Sequence, residues 1–198
     1  MATTIPDVAA EVRLSADRFS PTQQRTIDAA MDLFGDHGVS GTSLQMVADA
    51  LGVTKAAVYH QFKSKDSLVL AVAEVGMAPL QDAIVAAEAE PSRVQGRAVL
   101  LTRVIDLAVE RRRWVHALQG DPVIVRLLTS HEPLLDLVTR VYSLLLDNEA
   151  DPGGQVRAAI VAAAIGGAIV NPLVARLDDA TLRAELIEVT RRLFELPD

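Results

Sequence analysis

Helix-start and helix-stop signals crowd into the stretch from Ser20 to Lys65, and no other feature limits the fold as tightly. Ser20-Pro21-Thr22-Gln23 joins a capping serine, a proline suited to the first helical position and a glutamine three residues on, which together make a capping box. Ile27, Ala30, Met31 and Phe34 follow at the spacing of a one-sided helix, and Gly38 is placed to end it in a left-handed cap. A second box begins at Thr42-Ser43-Leu44-Gln45, with Leu44, Val47, Ala48 and Leu51 on one face and Gly52 as its stop. Thr54 can cap a third short helix, with Val58 and Phe62 turned inward. Ser64 can cap a fourth, carrying Leu68, Val72 and Val75. Three helices and the start of a fourth therefore occupy about 45 residues.

The punctuation is sparser beyond this point. Gly76 and Pro79 are expected to kink or interrupt the fourth helix. A further helix is predicted from about Ser92 to Arg111, and Asp121-Pro122 and His131-Glu132-Pro133 open two more segments. Asp151-Pro152-Gly153-Gly154 reads as a loop. A long apolar helix to about Val170, a break at Asn171-Pro172 and a last helix from about Asp179 to Leu196 follow. The run of Ala, Val, Ile and Gly from Ala158 to Val170 is 13 residues, short of the ~20 that span a bilayer, so it is expected to be a buried helix. No alternating strand pattern occurs. With aromatic residues at 4% and Ala, Val and Leu abundant, the expected fold class is all-α.

A chain of 198 residues can bury a core without staples, and the absence of cysteine removes disulfides, thiolate nucleophiles and cysteine metal sites. The start, Met1 to Asp7, lacks the basic and apolar regions of a signal peptide, and a cytoplasmic protein with no membrane partner is expected. There is no Gly-rich phosphate loop, nucleophile elbow or paired metal-ligand spacing, so no enzyme, metal or cofactor is expected. The net charge is −7, yet all three lysines, Lys55, Lys63 and Lys65, lie in an eleven-residue window that holds no acid. Such a spot attracts phosphate over about a Debye length, ~8 Å at physiological salt, while the acidic remainder limits non-specific sticking to DNA.

Two short helices joined at Gly52, with small Ala48 four positions earlier, have the form of a helix-turn-helix. Such pairs also occur as plain core helices. The solvent face of the second helix is what points to DNA: Lys55, Ala56 and Ala57 come first, and Tyr59, His60 and Gln61 after. Small residues at the N-terminal end let a helix approach base edges in the major groove.

Residues from about Ser20 to Glu74 resemble the DNA-binding domain of TetR-type transcriptional regulators. The resemblance rests on ALGVTKAAVYHQFKSKDSL, with AAMDLFGDHGVSGTSL fitting the first helix and the approach to the second. It implies an N-terminal helix-turn-helix three-helix domain and a C-terminal helical ligand-binding and dimerisation domain. The expected division is a flexible arm at 1–19, the DNA-binding domain at 20–67 and the effector-binding and dimerisation domain at 68–198.

By the same resemblance, Thr42 and Ser43 would bring a hydroxyl and helix-start amides to a phosphate, and Tyr59, His60 and Lys65 would contact further phosphates. Lys55, Ala56 and Ala57 would lie at the base edges, with Thr54 also among the DNA-binding residues and Gln45 within reach of another base. A homodimer seam is expected through Ala159, Ala163 and Gly167 (or Gly166) on one helix and Leu182, Leu186, Val189 and Leu193 on the next. A pocket for a small apolar effector is expected near Met77, Arg113, Trp114, His116 and Tyr142. The implied function is a repressor that an apolar small molecule releases from a palindromic, double-stranded operator. The alternatives are an activator, or a regulator controlled by a protein partner.

Overall fold

The computed structural model describes residues 18–118, 121–146 and 152–194. Among the described residues there are helices and no strand, as the composition predicts. In chain order they are α1 (Pro21–Gly41), α2 (Leu44–Leu51), α3 (Lys55–Gln61), α4 (Lys65–Met77), α5 (Pro79–Glu88), α6 (Arg93–Glu110), α7 (Arg112–Leu118), α8 (Pro122–Ser130), α9 (Glu132–Leu145), α10 (Pro152–Ile169) and α11 (Asp179–Leu193). A 3-10 turn, Pro172–Val174, follows the expected break at Asn171.

The caps explain most of these boundaries. The box at Ser20 is complete: the Gln23 amide donates to Ser20 Oγ at 3.3 Å, and the Ser20 amide donates to Gln23 Oε1 at 3.1 Å. Thr54, Ser64, Ser92, Asp121 and Asp178 cap α3, α4, α6, α8 and α11 in turn, each such cap contributing about 1 kcal/mol. The second predicted box is corrected by one residue, because Ser43 caps α2 by accepting from the Met46 amide at 3.2 Å. Gly38 has a positive φ of 72° but an extended ψ of 162°, so it kinks the chain instead of forming a left-handed cap. One more turn runs to Gly41.

The first core gathers Ile27, Ala30 and Phe34 of α1 with Val47, Ala48 and Val58. The arm expected at 1–19 lies outside the described residues except at its end, and there it is held. Phe19 packs on Phe62 with ring centroids 6.4 Å apart, and Arg18 pairs with buried Glu74 at 2.9 Å. At the Gly76–Pro79 junction, Ala78 stays helical and its amide donates to Glu74 O at 2.9 Å, so the expected interruption is slight. Pro79, which lacks an N–H, starts α5 where none is needed. The span Lys65–Glu88 is long and apolar enough to cross a membrane, but half of its most apolar window is spent on packing inside the fold. α4 also runs through the expected domain boundary at 67/68.

In the C-terminal part α6 packs against α5, α9, α10 and α11. The two parts meet where α1 packs on α7 and where α8 packs on α1 and α4. Of three consecutive arginines here, the first and third tie to α4 and α1, and the middle one holds α7 to α11. Arg111 donates to Gly76 O at 3.2 Å, Arg112 pairs with Asp179 at 3.2 Å, and Arg113 pairs with Asp36. Pro152-Gly153-Gly154, expected as loop, forms the first turn of α10. The burial expected of α10 is also corrected. Ala158, Val161, Ile165 and Ile169 are buried on one face, while Val156 and Ile160 on another are 60% and 57% exposed.

Candidate nucleic-acid interface

The turn between α2 and α3 forms because Gly52 can take a left-handed conformation, φ 65° and ψ 31°, that a side chain would strain. The Val53 amide then donates back to Ala48 O at 3.0 Å, closing the end of α2. Ala48 and Val58 are fully buried, so both helices are fixed through their inner faces. A buried hydroxyl adds a third tie: Thr26 of α1 lies 2.9 Å from Gln61 Oε1 at the end of α3. Gln61, read in sequence as part of the solvent face, is therefore half-buried and anchors α3 to α1.

With those faces committed, α3 presents Lys55, Ala56, Tyr59 and His60 to solvent, and Ala57 is half-buried beside them. Thr54 is exposed, and its Oγ1 accepts from the Ala57 amide at 3.2 Å. Tyr59 is 53% exposed, with the Lys63 ammonium 5.8 Å from its ring centroid. Lys63, four residues beyond Tyr59, thus shares this face, a placement that the i, i+4 spacing in the sequence signals. Gln45 and Ser43 are exposed at the start of α2, and the Gln45 amide donates to Asp49 at 2.7 Å. Lys65 is half-buried, and its Nζ donates to Ser40 O at 3.3 Å.

One expected contact is corrected. Thr42 is buried, and its hydroxyl lies 2.9 Å from Gly38 O and 3.2 Å from Leu33 O. It closes the last turn of α1 and offers no hydroxyl to a phosphate. Ser43 remains the exposed hydroxyl at that helix start.

The five expected pocket residues do not share one of the described cavities. Trp114 is buried over Gly76, and a Cβ at Gly76 would meet its Nε1 at 2.6 Å. Arg113 faces α1 through Asp36 and, with His116, lines a cleft of about 260 Å³ beside Asn171. Met77 and Tyr142 are half-buried and pack against the core.

On the expected dimer face, Ala159, Ala163, Val189 and Leu193 are exposed, and Gly167 and Leu186 are half-buried. Leu182 is 2% exposed and faces its own core, which removes it from the seam. Val156, Ile160 and Leu173 were missed and are among the most exposed large apolar residues. Between α10 and α11 runs an apolar groove of about 220 Å³, lined by Val161, Ile165, Leu186 and Val189 among others.

Residues 27–72 match the profile of bacterial regulatory proteins, tetR family. The chain is 49% identical over 47 residues to the HTH-type transcriptional regulator AcrR of Shigella flexneri, a match covering 24% of this chain and 22% of that one. Against the HTH-type transcriptional repressor AcnR of Corynebacterium glutamicum it is 26% identical over 134 residues, 64% of this chain and 66% of the relative. The first curated relatives are thus matched over only about a fifth to a third of their length. Among solved structures, the TetR-family regulator PfmR of Thermus thermophilus superposes with a TM-score of 0.65 at 17% identity, covering 91% of this chain and 99% of that one. NalD, the secondary repressor of the MexAB-OprM multidrug efflux pump in Pseudomonas aeruginosa, gives 0.62 at 22% identity over 86% and 94%. The likeness in structure extends the common fold over nearly the whole chain, and residues 27–72 form a helix-turn-helix domain of the tetR-family type.

Proposed function

We propose that the protein is a homodimeric, sequence-specific DNA-binding transcriptional regulator that represses from a near-palindromic site and is released by a small apolar effector. The observation that carries the DNA reading is the exposed face of α3. Lys55, Ala56, Tyr59 and His60 point outward from a helix whose inner residues are locked by Ala48, Val58 and Thr26. Lys55 has no hydrogen-bond partner among the described residues, so its ammonium is free for guanine O6 and N7, and the alanines suit thymine methyls. Ser43, Tyr59, His60 and Lys65 flank this face as phosphate contacts, and Gln45 stands beside it.

The dimer reading draws support from the uncovered apolar side of α10 and α11, where Val156, Ile160, Val189 and Leu193 are about half exposed or more. A two-fold seam there would bring two α3 helices to successive major grooves, about 34–36 Å apart on one side of the duplex. The effector reading draws on the aliphatic surroundings of Met77 and Tyr142. It also draws on α4, which links Lys65 at one end to Met77 at the other.

The test is fluorescence anisotropy of the purified chain with duplexes from its own genomic neighbourhood, over a range of salt. One duplex bound at least ~10³-fold tighter than the others supports the reading. Equal, weak binding to all of them refutes it. Apolar compounds that release the bound duplex must in turn bind less tightly, by the same factor, once the duplex is present. A compound whose affinity calorimetry finds unchanged by DNA is not the effector.

A further inference from the structure

We propose that Asp121 is a positioning residue for Lys65, acting through Ser40, and so transmits the placement of α8 to the DNA-binding face. The inference rests on the reading of Lys65 as a phosphate contact.

Asp121 stands at the start of α8, and its two carboxylate oxygens face different parts of the molecule. Oδ1 accepts from the Val123 amide at 2.9 Å and caps its own helix. Oδ2 accepts from both the amide of Ser40 at 2.9 Å and its hydroxyl at 3.0 Å, 81 residues away in the last turn of α1. The carbonyl of the same Ser40 accepts from Lys65 Nζ at 3.3 Å. One residue of α1 is therefore held by α8 on its donor side and supports the lysine on its acceptor side.

A second tie brackets the lysine. Arg126, one turn along α8, pairs with Asp66 at 2.8 Å, and Asp66 is the immediate neighbour of Lys65. Both anchors belong to α8, so any displacement of α8 against α1 and α4 moves Ser40 and Asp66 together, with Lys65 between them. The physical benefit is entropic. A lysine on a four-carbon stem loses rotamer freedom when it meets a phosphate, and one already resting on a fixed carbonyl loses less. Partial burial pushes the Asp121 carboxyl up, but the bonds from Val123 and Ser40 outweigh it and hold the group below the usual carboxylate range.

Simple charge predicts the opposite outcome, which makes the idea testable. Removing an acid beside a DNA-binding face should strengthen binding, whereas losing a positioning group should weaken it. The probe is a fluorescein-labelled, random-sequence duplex of about 30 base pairs, long enough for two half-sites. Binding to the full chain is followed by anisotropy over a salt series. Lys65→Ala should lower the salt slope by about one per subunit. Asp121→Ser retains a capping oxygen for Val123 but is too short to hold Ser40, so it should lower the slope in the same direction with helical content unchanged. Asp121→Asn loses the charge and one acceptor oxygen but keeps the reach to Ser40, so its slope should fall between those of Asp121→Ser and the parent. Adding Asp121→Ser to Lys65→Ala should change affinity by no more than about 2-fold, because the second loss has nothing left to remove.

A wild-type slope in Asp121→Ser beside a reduced slope in Lys65→Ala overturns the positioning role alone. A slope that Lys65→Ala leaves unchanged overturns the phosphate contact and the positioning role together. Losses that multiply in the double variant show two independent effects and also overturn it. If Asp121→Ser fails to fold, Ser40→Ala, which removes the hydroxyl donor at an exposed position, carries the same comparison.

Discussion

Gly96 lies where α6 crosses α5, and replacing it with alanine sets two known effects against each other. In a helix alanine is favoured over glycine by up to about 1 kcal/mol. Against that, a Cβ at Gly96 would lie 2.5 Å from the carbonyl oxygen of Ala87 and 3.3 Å from its carbon. The obstacle is backbone, so relief requires the helices to part by roughly 0.8 Å, an overpacking that typically costs about 1–3 kcal/mol. Steric cost should win, leaving a net loss of about 1 kcal/mol or somewhat more, from a total that for a domain is about 5–15 kcal/mol. Gly76→Ala is the comparator, since the Cβ there meets a side chain, Trp114, at 2.6 Å. An indole can turn where a helix backbone cannot, so this loss should be smaller. Urea denaturation followed by circular dichroism reads both as a lower midpoint at unchanged m. Trp114 is the sole tryptophan, and its emission should shift in Gly76→Ala and not in Gly96→Ala. A Gly96→Ala chain as stable as the parent, or more so, would refute the close crossing of α5 and α6.

Lys55→Ala should cost about 1–3 kcal/mol on the preferred duplex and relax discrimination at one base pair; competition with base-substituted duplexes checks this, and a loss uniform over all sequences contradicts the base-edge role. Ile160→Arg should yield a folded monomer in sedimentation, because the residue is 57% exposed in one subunit but would place an unpaired charge twice in a symmetric seam. Leu182→Arg, at 2% exposure, should instead unfold the subunit, and identical behaviour of the two variants would move the interface elsewhere. The depressed carboxyl of Asp121 contributes stability that is fully present above the ordinary aspartate value of ~3.9 and is lost as pH falls through its lower folded value. Asp121→Asn should therefore flatten the acid limb of a midpoint-against-pH curve, and a parallel limb would show the shift to be absent.

The N-terminal domain was legible almost residue by residue because its signals are local. A cap, an inward-facing period and a glycine stop each act within one or two turns, and Ser20, Ser64, Gly52, Val58 and Phe62 all took their expected places. The misses there arose where a residue had two partners to choose from. Thr42 can cap the helix that follows it or close the helix that precedes it, and the bond to Gly38 decides for the second. Gln61 lies on the exposed side of α3 by period alone, but a hydroxyl of α1, 35 residues away, draws it inward. Asp121 was read as a helix start, which it is; its second oxygen reaches Ser40, a contact that no local pattern encodes.

The C-terminal half was read less well, for a reason that also bears on assembly. α10 is apolar nearly all round, and a sequence rule that equates such a helix with burial is satisfied equally by one subunit's core or by two subunits together. The structure divides the helix: Ala158, Val161, Ile165 and Ile169 are used within the chain, and Val156 and Ile160 are left uncovered. α11 repeats the division, with Leu182 inside and Val189 and Leu193 outside. Scattered exposed apolar residues need no explanation, but Val189 and Leu193 line an apolar groove between α10 and α11, and Val156 and Ile160 add uncovered apolar surface on α10. The apolar content that made α10 look buried is therefore better understood as buried in part by its own chain and, in the reading proposed above, in part by a second copy. That reading requires the surface cover to be symmetric, which is why one arginine at Ile160 should act twice.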